Sequence, residues 1–298
     1  MWQACWVVER LKAVNPERSY RIKGISTRGD KILDVALAKI GDKGLFTKEL
    51  EQALFRGEID LAVHSMKDLP TSLPDGLFIG AVCEREFPGD VLISRDHKTL
   101  DELPPDAVIG TSSLRRTAQI LHYRSDLKTV NLRGNVQTRL NKLDENKFDA
   151  TILAYAGVHR MGLDSRITQV IPYEICLPAV GQGSIAVETA LDNEEILTLV
   201  KNIDHSDSRQ AVTAERSFLK KLEGGCQVPI GAYAAVEDGY LRLEGAVVSL
   251  DGRDMVRSDL TGDLREAEEI GTVLAEKLIK MGAGEILSKM RQEIMCDE

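Results

Sequence analysis

The sequence has few features of a membrane, disulfide-rich or metal-binding protein. No apolar run approaches the roughly 18 residues that a membrane-spanning helix needs. The histidines are dispersed without an HExxH motif, so we expect no metal. We also find no basic segment followed by an apolar one near the N-terminus, so no export signal is expected. The cysteines are odd in number, lie far apart and form no CxxC pair, which argues against disulfides and favours the reducing cytoplasm: Cys5, Cys83, Cys176, Cys226 and Cys296.

Aromatic residues make up only 5% of the chain and the net charge is −9, so general nucleic-acid binding is not expected. The charge is unevenly distributed. Residues 107–160 contain nine Lys and Arg against four Asp and Glu, whereas residues 206–298 contain twelve against eighteen. A basic middle in an acidic protein suggests a local site for an anionic ligand. The alternative is a chance fluctuation on solvated helix faces.

Apolar periodicity predicts helices alternating with short buried strands, which is typical of an α/β fold. We expect parallel pairing in the middle of the chain, because strand–helix units follow one another there. After about residue 206, a long helix, a hairpin at Asp251-Gly252 and two final helices predict a small α+β domain. The predicted strands are Ile59–His64, Ala107–Gly110, Thr129–Leu132, Ala150–Ala156, Ser184–Glu188 and 241–247. The predicted helices are Trp2–Lys12, 46–54, 114–121, one from Asn135, Asn193–Asn202, Ser206–Leu222, 267–278 and 286–294.

Polar and basic residues follow two of the predicted strands. Thr111, Ser112 and Ser113 precede a helix that begins with Arg115 and Arg116. Hydroxyls and free N–H groups at a helix N-terminus favour an anion, and arginines suit carboxylates. The next strand ends in a similar layout that contains Arg133, Gly134 and Arg139. Since strand C-termini converge on the ligand crevice of an α/β sheet, these arginines suggest a carboxylate-binding wall. A serine cap with exposed arginines is the alternative.

Three other positions carry potential chemistry. Asp68 follows the strand-end residues Ser65 and Lys67, and could act as a general acid or base; a surface ion pair is the alternative. Lys39 and Lys43 occupy a glycine-bounded loop that is either a mobile lid or a solvated connection. Cys226 follows two glycines, and its spacing alone does not distinguish a nucleophile from a small buried side chain.

Taken together, several motifs resemble those of the hydroxymethylbilane synthase (porphobilinogen deaminase) family, across nearly the whole chain. Each motif is weak alone, but their number and order are specific. They are STRGD at 26–30, KGLF at 43–46, VHSMKD at 63–68, GTSSLRR at 110–116, LRGN at 132–135, LPAVGQG at 177–183 and EGGCQVP at 223–229.

The resemblance implies two α/β lobes similar to periplasmic binding proteins and a small C-terminal α+β domain. Domain 1 would comprise residues 1–85 and 184–203, domain 2 residues 89–180, and domain 3 residues 206–298. It also implies a dipyrromethane cofactor joined to Cys226 by a thioether. Four porphobilinogen units would be added, each with loss of ammonia, before hydrolysis releases a linear tetrapyrrole. We expect a cytoplasmic monomer that binds neither membrane nor nucleic acid.

The same resemblance assigns roles to individual residues. Asp68 would be the catalytic carboxylate, because loss of ammonia leaves a cation that a carboxylate stabilises. Lys39 and Lys43 would belong to a lid, and Arg160 and Gln182 would complete the substrate-binding set. The cofactor would contact Ser65, Lys67, Thr111, Ser112, Ser113, Arg115, Arg116, Arg133, Gly134 and Arg139, besides Cys226.

In one respect the sequence departs from the family pattern. The family opens with a strand and a loop that carry an Arg and a Ser ahead of the helix that starts here at Trp2. We therefore expect weak or absent activity and low stability of this exact chain. A non-enzymatic solute-binding protein is the main competing hypothesis, and the Cys226 motif discriminates against it, since a binding protein needs no covalent anchor.

Overall fold

Three β-sheets organise the part of the chain that the computed structural model describes, which comprises residues 1–27, 29, 47–223 and 228–296. Each sheet packs against helices on at least one face and has its own cluster of buried apolar side chains. The predicted mixed α/β architecture with an additional C-terminal unit is therefore confirmed. Within the same residues, every helix is too short or too polar to span a bilayer.

The first sheet has a strand from a distant part of the chain at its centre. In spatial order it contains β1 (Ala62–Ser65), β8 (Ile185–Ala190) and β2 (Leu77–Val82), all paired antiparallel. It packs against helices α1 (Trp2–Val14), α2 (Lys48–Phe55) and α6 (Glu194–Lys201). Val7 and Leu11 of α1 are fully buried against Val187 of β8 and Val200 of α6. Apolar residues at helical spacing thus cover the strand that returns from the second sheet.

The second sheet contains the parallel strands that the sequence predicts. Its spatial order is β5 (Lys128–Val130), β4 (Val108–Gly110), β6 (Ala150–Ala154), β3 (Asp90–Ser94) and β7 (Gln169–Val170). Strand β4 pairs parallel with β5 and β6, whereas β3 pairs antiparallel with β6 and β7. The associated helices are α3 (Leu114–Tyr123), α4 (Val136–Asp144) and the short α5 (Tyr155–His159). The side chains of Ser113 and Asn135 cap α3 and α4.

The third sheet is a meander of β9 (Ile230–Glu237), β10 (Tyr240–Val248) and β11 (Met255–Asp263). Helices α7 (Ser206–Lys221), α8 (Ala267–Leu278) and α9 (Gly284–Cys296) accompany it. Gly271 allows α8 to approach α7 closely, since a Cβ there would overlap the carbonyl oxygen of Ala214. The hairpin predicted at Asp251-Gly252 is confirmed, with Gly252 at φ +75°.

Several elements differ from the sequence-based prediction. Strands β2, β3, β7 and β9 and helix α5 were not predicted, and Ala150–Ala156 ends as a strand at Ala154. Strand β1 begins at Ala62, three residues later than predicted, and α2 begins at Lys48 after Thr47. Short buried strands give little periodicity to read, because both of their faces are apolar.

Candidate active site

The end of β4 and the start of α3 place three hydroxyl groups next to the end of β5. Thr111 donates its backbone N–H to the carbonyl oxygen of Val130 at 2.9 Å. The Oγ of Ser112 donates to the carbonyl oxygen of Leu132 at 2.6 Å and also contacts Asn131. The Oγ of Ser113 accepts from the backbone N–H of Arg116 at 3.4 Å. The two strand ends that the sequence predicts as neighbours are therefore joined directly.

Arg115 and Arg116 lie inside the protein, on a carboxylate that the sequence analysis did not identify. Their guanidinium groups approach the two oxygens of Asp90 at 2.8 and 2.7 Å. Asp90 is fully buried at the start of β3. Burial alone would raise the pKa of Asp90, but the two arginines outweigh it and hold the pKa well below the usual range. At neutral pH the cluster therefore has one carboxylate for two guanidinium cations.

Gln182 links this cluster to the crossover between the second and first sheets. Its Nε2 donates to Asp90 at 2.8 Å and to the carbonyl oxygen of Pro88 at 2.7 Å. Its Oε1 accepts from the Nζ of Lys67 at 3.4 Å. Gln182 is 1% exposed. One amide side chain thus connects the turn after β1, the start of β3 and the crossover.

The second predicted strand end contributes Arg133, Gly134 and Arg139. Gly134 adopts φ +119°, and its carbonyl oxygen accepts from the Nε of Arg139 at 2.8 Å. Burial, together with the positive charges of Arg116 and Arg133, lowers the pKa of Arg139 to about 10. Burial is the larger cause, and the two neighbouring cations add a positive electrostatic field. An acidic ligand would relieve this repulsion.

Four of the predicted site residues line a single cavity of about 110 Å³: Ser65, Lys67, Arg160 and Gln182. Burial lowers the pKa of Lys67 to about 8, although Asp68 and Asp90 oppose the shift. Burial also lowers the pKa of Arg160. The other lining residues were not predicted: Gln3, Ala154, Ala156, Gly157, Gly183 and Ser184. The cavity therefore presents two cations with reduced affinity for their protons.

Helix α1 forms part of the same region. The Nε2 of Gln3 donates to the Oγ of Ser65 at 2.9 Å. The guanidinium of Arg160 lies 5.4 Å from the ring centre of Trp2 and donates to the carbonyl oxygen of Gly183 at 2.7 Å. The aromatic face and the carbonyl hold the arginine in one orientation.

Asp68 ends the short 3₁₀ turn Met66–Asp68 after β1 and is exposed. The loop that follows is fixed by Arg216 of α7, which donates to the carbonyl oxygens of Leu69 and Pro70 at 3.4 and 2.6 Å. An element of the third unit therefore positions the backbone beside Asp68.

A second buried ion pair joins the third sheet to the crossover. Arg85 contacts Glu215 of α7 at 2.6 Å and donates from its Nε to the carbonyl oxygen of Gln182 at 2.8 Å. Glu215 also accepts from the backbone N–H groups of Gly181 and Ala234 at 2.7 and 2.8 Å. Neither charged residue was predicted from the sequence, since Arg85 and Glu215 are 130 residues apart. Both oxygens of the buried Glu215 carboxylate therefore accept hydrogen bonds.

Three predicted site residues, Lys39, Lys43 and Cys226, lie outside the described residues. Their assigned roles stay predictions. Helix α7 ends at Lys221 and β9 begins at Ile230, so Cys226 lies in the connection between these elements.

Comparisons with known proteins cover most of the chain. The family model for the "dipyromethane cofactor binding domain" of porphobilinogen deaminase matches residues 1–198, and the model for its C-terminal domain matches residues 209–280. The porphobilinogen deaminase of Pelotomaculum thermopropionicum is 65% identical over 293 residues, which cover 98% of this chain and 94% of that protein. The porphobilinogen deaminase of Desulforudis audaxviator is 59% identical over 289 residues, which cover 97% of this chain and 94% of that protein.

Among solved structures, the BvgS periplasmic VFT2 domain of Bordetella pertussis is similar, with a TM-score of 0.41 and 15% sequence identity. The similarity covers 67% of this chain and 75% of that chain.

Proposed function

This chain belongs to the porphobilinogen deaminase (hydroxymethylbilane synthase) family, and from that premise we propose how its residues carry out the reaction. The protein is a transferase of tetrapyrrole biosynthesis. It joins four porphobilinogen units head to tail, with loss of one ammonia from each, to give the linear tetrapyrrole hydroxymethylbilane. A covalent dipyrromethane group serves as the primer on which the chain is built.

We propose that the cation-rich strand ends of the second sheet hold the acidic side chains of the primer. The buried Nε–H groups of Arg115 and Arg116 have no hydrogen-bond partner among the described residues. Arg139 adds a third guanidinium, close to the positive charges of Arg116 and Arg133. Carboxylates arranged on pyrrole rings fit such a set, because they accept charge-assisted hydrogen bonds. The remaining proposed contacts of the primer are Ser65, Lys67, Thr111, Ser112, Ser113, Arg133 and Gly134.

The proposed anchor is Cys226, whose thiolate would form the thioether to the primer. It lies in sequence between α7 and β9, two elements that meet at Glu215. The network of Glu215 and Arg85 therefore ties the ends of the anchoring segment to the crossover at Gln182. This connection would keep the growing product within reach of the cavity.

Asp68 is proposed to act on the incoming porphobilinogen. Protonation of the substrate's amino group makes ammonia a leaving group, and its departure leaves a cation on the substrate. A carboxylate would stabilise that cation until a free pyrrole carbon of the growing chain has bonded to the substrate's methylene carbon, and it would then accept the proton that this pyrrole carbon loses. The exposed position of Asp68 beside Lys67 supports this role. Arg160 and Gln182 would contact the substrate, and Gln182 would also hold Lys67, a proposed contact of the primer, in place. Lys39 and Lys43 would belong to a lid.

We also propose that domain 1 comprises residues 1–85 and 184–203, domain 2 residues 89–180 and domain 3 residues 206–298. The pairing of β8 between β1 and β2 supports the first division, and the C-terminal family match supports the last. A cytoplasmic monomer without nucleic-acid partners completes the proposal. Light scattering during size-exclusion chromatography tests its oligomeric state.

The observation that carries the proposal is that both arginine-bearing strand ends are connected through hydrogen bonds and ion pairs to Gln182 and Lys67. Its first test is the intact mass of the purified protein. We expect an adduct of two linked pyrroles that reacts with Ehrlich's reagent and is absent from Cys226→Ser. An unmodified mass would contradict the assignment of the primer to this chain.

The role of Asp68 has a separate test. We expect Asp68→Ala to lower turnover of porphobilinogen by about 10²–10⁴-fold, the usual contribution of a positioned acid–base group. Asp75→Ala is the matched control, since Asp75 is another exposed carboxylate after the same turn. Equal turnover of the two variants would remove Asp68 from the mechanism.

A further inference from the structure

Gln119 of α3 is a fully buried amide side chain that has no role in the proposed mechanism. Its Oε1 accepts from the backbone N–H of Leu177 at 2.9 Å, and its Nε2 donates to the carbonyl oxygen of the same residue at 3.1 Å. One side chain thus pairs with both backbone polar groups of Leu177, as a neighbouring strand would. Since the crossover to the first sheet follows Leu177, the amide fixes the start of this crossover to α3.

The carbonyl oxygen of Leu177 also accepts from a guanidinium of the proposed primer site. Arg115 lies one helical turn before Gln119, on the same face of α3. The Nη1 of Arg115 donates to that oxygen at 2.7 Å and contacts Asp90 at 2.8 Å. The Nε–H of Arg115 is buried and has no hydrogen-bond partner among the described residues. The orientation of the Leu177 peptide, which Gln119 sets, therefore determines where this Nε–H group points.

The other side of Leu177 packs against β9, the first strand after the proposed anchor. The backbone N–H of Ala232 donates to the carbonyl oxygen of Pro178 at 3.0 Å. A Cβ on Gly231 would lie 2.8 Å from the Cβ of Leu177, 2.9 Å from its carbonyl oxygen and 3.2 Å from the Nε2 of Gln119. The Leu177 peptide is therefore held between the helix that carries the arginines and the strand that follows the anchor.

We propose that Gln119 is a positioning residue for the primer, because it fixes the Leu177 peptide and thereby the place of the Arg115 Nε–H group relative to the anchor, Cys226. This inference rests on the proposed function, in which Arg115 binds a carboxylate of the primer and Cys226 holds the primer covalently. A covalently held group has a fixed reach. A guanidinium that shifts relative to the anchor therefore loses the geometry of its charge-assisted hydrogen bonds to that group. Gln119 itself contacts neither primer nor substrate in this assignment.

The test compares Gln119→Met with the unaltered holoenzyme. Methionine has nearly the same length and volume, but it replaces neither hydrogen bond to Leu177. We expect a smaller fraction of the purified protein to carry the two-pyrrole adduct by intact mass. In the loaded fraction, kcat should fall about ten- to a hundredfold, because a primer that is displaced by about 1 Å loses its alignment for reaction. KM for porphobilinogen should not change, since the proposed substrate contacts Arg160 and Gln182 are unaltered.

Ser94→Ala is the matched control for lost stability. Ser94 is also buried, at the opposite end of β3 from Asp90, and its Oγ accepts from the backbone N–H of Lys98 at 2.7 Å. Both variants should unfold at a lower temperature, because each loses a buried hydrogen bond. Only Gln119→Met should lose adduct and kcat. A loss of adduct that follows the unfolding temperature in both variants would mean that the role of Gln119 is structural.

Gly231→Ala perturbs the same peptide from the side of β9. Its Cβ would lie within 3.0 Å of Leu177, so adduct and kcat should fall in this variant as well, again with unchanged KM. Because both substitutions act through Leu177, the double variant should lower kcat by less than the product of the two single effects.

Two results would overturn the inference. One is full loading with unchanged kcat in either single variant, which decides the question even where the other variant does not fold. The second is a double variant whose kcat falls by the full product, since the two positions would then act independently. Failure of the proposed function appears differently, as absence of the pyrrole adduct from the unaltered protein.

Discussion

Replacing Asp90 by asparagine should destabilise this protein far more than removal of an ordinary surface charge. The carboxylate accepts from Arg115 at 2.8 Å, from Arg116 at 2.7 Å and from Gln182 at 2.8 Å. Asparagine has nearly the same shape, but one of its ends is an NH₂ group. That end would face donors, and two buried guanidinium groups would lose their counter-charge.

The expected size follows from the burial of the cluster. Breaking a buried ion pair by removing one partner costs about 3–5 kcal/mol, because the other charge stays buried and uncompensated. With about 2–4 °C per kcal/mol for a chain of roughly this size, the unfolding temperature should fall by about 6–20 °C. The two arginines lower the pKa of Asp90, so its contribution is complete above the unfolded-state pKa of about 3.9. The contribution is lost as the pH falls through the lower folded-state pKa, and the comparison therefore belongs at pH 7.

Thermal unfolding followed by circular dichroism measures this effect, with Asp106→Asn as the control. Asp106 pairs with Lys128 on the surface, where both side chains are more than half exposed, and such pairs contribute only about 0–1 kcal/mol. Asparagine also tolerates the positive φ of 63° at this position. Similar losses in the two variants would refute the reasoning. Arg116→Met should lower the free energy of unfolding less in the Asp90→Asn variant than in the unaltered protein. In the Asp90→Asn variant, the substitution removes a charge that has already lost its counter-charge.

Two further predictions concern the cavity. Because the pKa of Lys67 is lowered to about 8, its positive charge is present below that pH and is lost above it. KM for porphobilinogen should therefore rise between pH 7 and 9. The Lys67→Arg variant stays charged over this range, so its KM should not rise. Identical pH profiles would exclude Lys67 as the titrating group. Gly183→Ala should destabilise by about 2 kcal/mol or more, since φ is +90° and a Cβ would overlap the carbonyl oxygen of Glu86. In the control Gly162→Ala, φ is +67° but the Cβ would meet open space, so the free energy of unfolding should fall by only about 1 kcal/mol. A denaturant titration measures both variants. Equal losses would mean that the backbone around Gly183 moves to accommodate the Cβ.

The local features of the site could be predicted from the sequence, because they depend on neighbouring residues. Strand β4 and the caps Ser113 and Asn135 follow from a short apolar run and from side chains that satisfy a helix N-terminus. The same pattern correctly identified which strand ends lie together, since parallel strands direct their C-termini to one edge.

Other parts could not be predicted, because their causes are distant along the chain. The sequence predicts Arg115 and Arg116 as ligands of a bound carboxylate, and only the pairing of β3 with β6 brings the protein's own Asp90 to them. Strand β3 itself begins with this aspartate, a residue that usually indicates a turn. Strand β9 is rich in Gly and Ala, which have low strand propensity, and it forms because it packs on α7.

The position of β8 between β1 and β2 has a consequence for synthesis on the ribosome. His64 of β1 and Glu188 of β8, whose side chains are hydrogen-bonded at 2.9 Å, are 124 residues apart. At about 5–20 residues per second, the intervening chain takes roughly 6–25 s to make. During that time β1 and β2 have no central strand, and their unpaired edges are open to association with other nascent chains. The second sheet is complete in sequence by residue 170, so it can form first and deliver β8 to its place.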